Sequence, residues 1–232
     1  MALTPKVPSP RPSPWLLAGA LALTSLPALA IKPFSADYTA SYMGMQGNGR
    51  MTLAAAGPGR WKYSLEVSSP LANLSQSTVF EEKGGQWRPI SGSDSSKVLT
   101  RKQVKNANYD WNRGVATWTG DVKENRAGPI PLLAGDMDAL LINLALVRDA
   151  GAGKPISYRM VEDGRVKQLT YTVAGKESID IGGKSQTATK LISSNGDKQT
   201  IAWVVDGMPV PARILQRDKG QDAIDLRVRG VR

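Results

Sequence analysis

Gly128-Pro129-Ile130-Pro131-Leu132-Leu133-Ala134-Gly135, running on through Asp136 to Arg148, is the one stretch beyond residue 30 whose pattern is helical. Asp136 is an N-cap residue type, able to accept a hydrogen bond from the free amides of a first turn. Met137, Leu140, Leu141, Leu144 and Val147 then recur at helical spacing, and Ile142 and Leu146 widen the stripe, so the helix is expected to be buried on more than one side. Asp138 near the start and Arg148 near the end suit the helix dipole. Gly151 stands where a left-handed C-terminal residue is often needed.

Outward from this helix, strand and turn signals alternate in both directions. Before it, Ala36, Tyr38, Ala40 and Tyr42 share one face, and Trp61, Tyr63, Leu65 and Val67 another, with Asn48-Gly49 and Gly57-Pro58-Gly59 as turns. Met43 and Met45 stand beside the first of these turns, as a flexible apolar lip or an ordinary loop. Residues 70–75 read as a connection and 78–83 with 86–91 as a hairpin. Ser91-Gly92-Ser93-Asp94-Ser95-Ser96 reads as a polar loop or bulged edge. Residues 98–109, with Arg101, Lys102 and Lys105, read as an exposed strand whose cations discourage edge-to-edge pairing. After the helix, Ile156, Tyr158 and Met160 share a face, Asp163-Gly164 forms a hairpin turn, Gly175 starts another, and Asn195-Gly196 and Asp206-Gly207 follow. Ile224, Leu226 and Val228 alternate with Asp225, Arg227 and Arg229 in the last strand. About a dozen strands with short turns predict a mainly β fold: a curled or incompletely closed antiparallel β-barrel, a spiral, with the mid-chain helix as plug or lid. A β-sandwich is the alternative.

The first 30 residues read as a signal peptide. Lys6 and Arg11 are its basic region, residues 15–26 its apolar region, and Ala28-Leu29-Ala30 a small-x-small cleavage site. Residues 31–232 are then expected to form a single β-rich domain exported to the periplasm, with no transmembrane segment after cleavage. They carry 28 cationic and 20 anionic residues, a net charge of +8. Such a surface favours anionic surroundings, and export argues against nucleic acid.

Histidine and cysteine are both absent. That removes Ser-His and Cys-His nucleophile pairs, His or Cys zinc sites and thiol redox chemistry. No Gly-x-Ser-x-Gly, Ser-x-x-Lys or phosphate-loop motif occurs. Acid–base chemistry could only be run by carboxylates, with Glu81-Glu82, Asp136 with Asp138, and Asp110 as candidates for a glycosidase-like pair. Helix capping explains Asp136 and Asp138 as well, and a solvated strand end explains Glu81-Glu82. Trp61, Trp87, Trp111, Trp118 and Trp203 suit either core or a cavity wall. Arg213, Arg217, Arg227, Arg229 and Arg232 crowd the last strands, as a phosphate-binding face or as a solvated outer one.

The Asp110-Trp111 strand end, the Asp136-x-Asp138-x-Leu140 helix ending in Val147-Arg148, the Gly175-x-Glu177 segment and Trp203-Val204-Val205-Asp206-x-x-x-Pro209-Val210-Pro211-x-Arg213 together resemble the exported proteobacterial family designated domain of unknown function 3108, or DUF3108. The resemblance spans roughly residues 34–231. It implies a periplasmic β-rich protein with no assigned activity, in which Asp136, Arg148, Trp203, Asp206, Pro211 and Arg213 are family positions without catalytic roles. In shape alone the expected fold is similar to periplasmic lipoprotein carriers, which use an open barrel and a helical lid for acyl chains.

These readings converge on a protein that is not an enzyme, with no catalytic residue, cofactor or metal. The expected function is a binding or scaffold module for an apolar or anionic envelope component or a partner protein, with the ligand-binding residues left open. The alternatives are a structural envelope protein gripping polyanionic glycolipid or cell wall through a basic face, and a carboxylate hydrolase of envelope glycan.

Overall fold

The computed structural model describes residues 31–42, 44–151 and 155–232. The expected signal peptide, including Ala28 and Ala30, and Met43 lie outside the described residues. Among the described residues there are fourteen strands and one α-helix: β1 (Phe34–Tyr42), β2 (Met45–Ala55), β3 (Arg60–Ser68), β4 (Ala72–Lys83), β5 (Gln86–Val98), β6 (Arg101–Asp110), β7 (Val115–Gly120), β8 (Ile130–Pro131), α1 (Ala139–Asp149), β9 (Ile156–Glu162), β10 (Arg165–Ile181), β11 (Lys184–Asn195), β12 (Lys198–Val205), β13 (Arg213–Asp218) and β14 (Gln221–Val231).

The strands pair antiparallel, nearly always with a chain neighbour, and the one exception closes the design. The N-terminal strand β1 pairs with the C-terminal strand β14, from Ala36 opposite Val231 to Tyr42 opposite Ile224. One sheet therefore runs β8-β7-β6-β5-β4-β3-β2-β1-β14-β13-β12-β11-β10-β9. Its free edges, β8 and β9, are the two strands that flank α1 in sequence. The result is a nearly closed barrel with one seam, and the helix is the link that crosses it. The expected barrel with a helical plug is the fold observed.

Alternation puts Ala36, Tyr38, Ala40, Met51, Leu53 and Tyr63 inside, all buried. The helix packs against β3 and β4 on one wall and β9 and β12 on the other. Leu140, Leu141, Ile142, Leu144, Ala145 and Leu146 are accordingly buried almost all round its axis. Two expectations at its ends are corrected. The N-cap is Asp138, whose carboxylate accepts from the Leu141 amide at 2.8 Å, and not Asp136. The helix starts late because Met137 is held extended against β9, its amide donating to the Arg159 carbonyl and its carbonyl accepting from the Val161 amide. Gly151 is not left-handed; the helix closes on Ala150, whose amide bonds the Leu146 carbonyl at 2.9 Å.

Five strand readings also change. Asn48-Gly49 is not a turn but lies within β2, opposite Thr39 and Tyr38 of β1. Ser91–Ser96 is not a loop but the second half of β5, and residues 72–75 open β4. Strand β6 is not an edge, since β5 and β7 flank it. Gly175 makes no turn: β10 runs through it, pairing first with β9 and then with β11, with its register shift at Val173–Gly175.

Side chains and one hairpin tip draw the seam together. Asp163, at the β9–β10 turn, accepts from Lys105 Nζ on β6 at 3.0 Å and from Arg126 Nη1, in a 3-10 turn after β7, at 3.1 Å. The Tyr109 hydroxyl donates to the Val161 carbonyl at 2.9 Å. Gly164 has φ +63°, and a Cβ there would collide with the Arg126 backbone carbonyl. Gly164→Ala is therefore expected to cost at least about 2 kcal/mol, since strain and a backbone clash combine. An unchanged melting temperature would mean that the hairpin tip does not press on the 3-10 turn.

Candidate functional site

The interior is not filled evenly. Beyond the helix N-terminus, three inward rows cross β4, β5 and β6 in register: Thr78–Gly92–Ala107, then Gln76–Asp94–Lys105, then Leu74–Ser96–Gln103. Six of these nine residues, Thr78, Gln76, Asp94, Lys105, Ser96 and Gln103, are polar on the face where neighbouring strands place apolar ones.

Behind the middle row lies a pocket of about 20 Å³, room for one water. Asp94, Asp138 and Glu162 all line it, with Thr78 and Tyr109. The helix N-terminus carries in Asp138, where the Thr78 hydroxyl donates to its carboxylate at 2.6 Å. Gly92 faces this carboxylate across the sheet, and a Cβ there would stand at ordinary contact distance from Asp138 Oδ2, 3.9 Å. Glu162 arrives from β9 in phase with buried Ile156, Tyr158 and Met160. Burial pushes the Asp138 carboxyl up to about 6, against the pull of its hydrogen bonds from Thr78 and Leu141. Burial, with Asp138 and Asp94 as negative neighbours, pushes Glu162 up to about 8. Asp94 is raised by burial too, partly offset by a hydrogen bond from Gln76 and the charge of Lys105.

In front of the same row the interior opens into a cavity of about 280 Å³. Tyr42, Leu65, Val67, Leu74, Ile224 and Leu226 form its apolar wall, and Gln76, Asp94, Ser96, Gln103 and Lys105 its polar one. A third cavity, about 440 Å³ and more polar, lies between α1 and strands β9 to β14 and shares Glu162 with the small pocket.

The residues singled out from the sequence sit mostly elsewhere. Asp136 is buried at the seam, paired with Arg159 across it and accepting the Leu133 amide at 2.8 Å. Glu82 is exposed at a strand end and Glu81 half-buried beside it. Asp110 caps its turn, accepting from the Asn112 and Arg113 amides at 3.1 and 3.0 Å. Among the described residues no tryptophan lines the 280 Å³ cavity; Trp118 borders the small pocket. Trp203 lies in a cross-strand row, with Lys190 and Arg213 over its ring at 5.4 and 4.6 Å and its Nε1 donating to Glu177 at 2.7 Å. Arg213 grips Asp225 through two bonds of 2.8 Å. Arg148 stacks 4.4 Å from the Trp87 ring centroid, the Pro211 carbonyl accepts the Tyr38 hydroxyl at 2.8 Å, and Asp206 is exposed in its turn. Of the clustered arginines, Arg213, Arg217, Arg227 and Arg232 are all paired with aspartates.

The model of the DUF3108 family, described as a protein of unknown function, matches residues 37–227, from the first strand through most of the last. The chain belongs to the DUF3108 family. None of the curated proteins matches it. Among solved structures, the DUF3108 chain is similar to a β-barrel-like protein of domain of unknown function DUF1849 from Brucella abortus, at 15% identity and a TM-score of 0.52, over 88% of this chain and 99% of that one. At that identity the likeness is one of fold. Gln76 and Glu162 escape the sequence reading, which takes Asp94 and Lys105 as loop and edge-strand residues; all four leave one trace, each being a polar residue on the inward phase of its strand.

Proposed function

We propose that this DUF3108 protein is an exported, non-catalytic binding module that takes the apolar part of an envelope component into its barrel. The observation that carries this reading is the 280 Å³ cavity, with aliphatic side chains on one wall and hydrogen-bonding groups on the other. That size stands at the lower edge of small-molecule pockets, and the two-sided lining is what fixes an amphipathic ligand. A hydrolase reading is poorly supported, since the pocket where three carboxylates meet has room for a water and not for a sugar ring. No helix among the described residues is long and apolar enough to cross a membrane. The leader-like residues 1–30 are the reason for proposing export to the periplasm.

Native mass spectrometry of the protein purified from its own envelope fraction tests the reading. A small-molecule adduct that is released on denaturation is expected. Leu74→Trp, which puts an indole into the cavity, should reduce the adduct at least tenfold while the fold persists. A bare mass for the unsubstituted protein would sink the proposal.

A second reading, a structural protein that grips polyanionic glycolipid or cell wall, draws on a surface groove of about 760 Å³ bordered by Lys97, Lys102 and Arg229. None of these three forms an ion pair among the described residues. It calls for retention on such material that weakens as salt rises.

A further inference from the structure

The net charge of the protein points to anionic ligands, but the polar wall of the interior cavity has the opposite character. We propose that the cavity selects a primary aliphatic amine, with the hydrocarbon against Leu65, Val67, Leu74 and Leu226 and the ammonium on Asp94. This rests on the binding reading above and names its ligand class.

Among the described residues the cavity wall holds one cation and one anion, side by side in register on β6 and β5, and of these only the anion is without an ion pair. Lys105 Nζ is committed to Asp163 at 3.0 Å, where it helps hold the seam. Asp94 has no cation within ion-pairing distance among the described residues, and its hydrogen bond comes from the neutral Gln76 amide. A half-buried carboxylate whose nearby lysine is committed elsewhere keeps part of its burial cost, and a ligand ammonium would remove that remainder. Behind Asp94, the Asp138 carboxylate adds negative charge at neutral pH while Glu162 is still largely protonated, so acidic groups outweigh the one committed lysine at this end of the cavity although residues 31–232 carry a net +8. An ammonium has three donors. Three acceptors line the wall at this point: the Asp94 carboxylate, the Ser96 hydroxyl and a Gln76 or Gln103 carbonyl. A carboxylate or phosphate head would instead face Asp94 directly and be rejected by like charge. The outer groove near Lys97 and Lys102 is on the opposite face of the sheet and does not alter this balance, because inward and outward side chains alternate along β5 and β6.

Titration calorimetry of the full protein with hexylamine, hexanol and hexanoate is decisive. Hexylamine should bind at least tenfold more tightly than hexanol, and hexanoate more weakly than both. In Asp94→Asn, hexylamine should fall to the level of hexanol while hexanol is unchanged, the latter showing that the cavity is intact. Hexanoate binding as well as hexylamine, or an amine preference that survives in Asp94→Asn, would overturn the assignment and leave the cavity as a binding site. Should Asp94→Asn fail to fold, the ranking of the three probes on the unsubstituted protein still decides. Failure of all three probes to bind would overturn the cavity reading itself along with this one.

Discussion

Asp136→Ala is expected to lower the stability of the barrel by about 3 kcal/mol, toward the lower end of what breaking a buried ion pair costs. The carboxylate is almost wholly buried, and it spans the seam, receiving the Arg159 guanidinium from β9 and the Leu133 amide from the segment before the helix. Removing it leaves the guanidinium facing an apolar gap. Two features keep the loss from being larger. Arg159 retains 26% side-chain exposure, so water can recover part of its solvation, and Asp136 Oδ1 is buried with no partner among the described residues, so the pair is incompletely satisfied at the outset. Urea unfolding measures the effect as a lower midpoint at unchanged slope. Hydrogen exchange locates it: amides of β9, the edge strand, should open first. The surface pair Arg50–Asp37 is the comparison, where Arg50→Ala should cost no more than about 1 kcal/mol. If the two substitutions cost the same, the seam is not held by Asp136.

That staple shows where the sequence could be read and where it could not. The barrel and its plug were legible, because alternation along β1, β3 and β14 and a broad apolar stripe on α1 are local patterns. Asp136 and Asp138 are both N-cap residue types two positions apart. Which one caps depends on Met137 lying against β9, a contact between residues far apart in the chain. The run Ser91–Ser96 imitates a loop because small polar residues favour turns. It is a strand because both neighbours supply ladders, and Asp94 and Ser96 are polar because the inward face borders a cavity instead of a core. Lys105 looked like an edge lysine for the same reason. Gly175 reads as a turn residue, and pairing with two different partners carries the strand through it. The core was therefore visible as pattern, and the site was visible only as exceptions to it. Glu162 is the clearest of these, two residues beyond Met160 on the same apolar phase.

Glu162→Gln is expected to stabilise the protein at pH 8 and to leave it nearly unchanged at pH 5. Both interior acids titrate high in the folded state, Glu162 at about 8 and Asp138 at about 6, against 4.5 and 3.8 as free side chains. Between those values the folded protein holds protons that the unfolded chain has released. Stability therefore falls as pH rises from about 4 to about 8, and levels off once the folded-state groups have ionised. Below pH 4 both states are protonated and these two groups contribute no slope. Glu162 borders a cavity as well as the small pocket, so its share is on the order of 3 kcal/mol, less than full burial would give. For a domain of about 200 residues that corresponds to roughly 6–12 °C in melting temperature at pH 8. Glutamine keeps the size and the hydrogen-bonding capacity of the protonated acid and has no proton to lose, so the variant should show a flatter stability profile from pH 6 to pH 9. Asp138→Asn should flatten a lower window, about pH 4 to 6, at the added cost of a weaker cap on α1. Parallel profiles for Glu162→Gln and the unsubstituted protein would mean that Glu162 reaches solvent freely and titrates as an ordinary carboxylate.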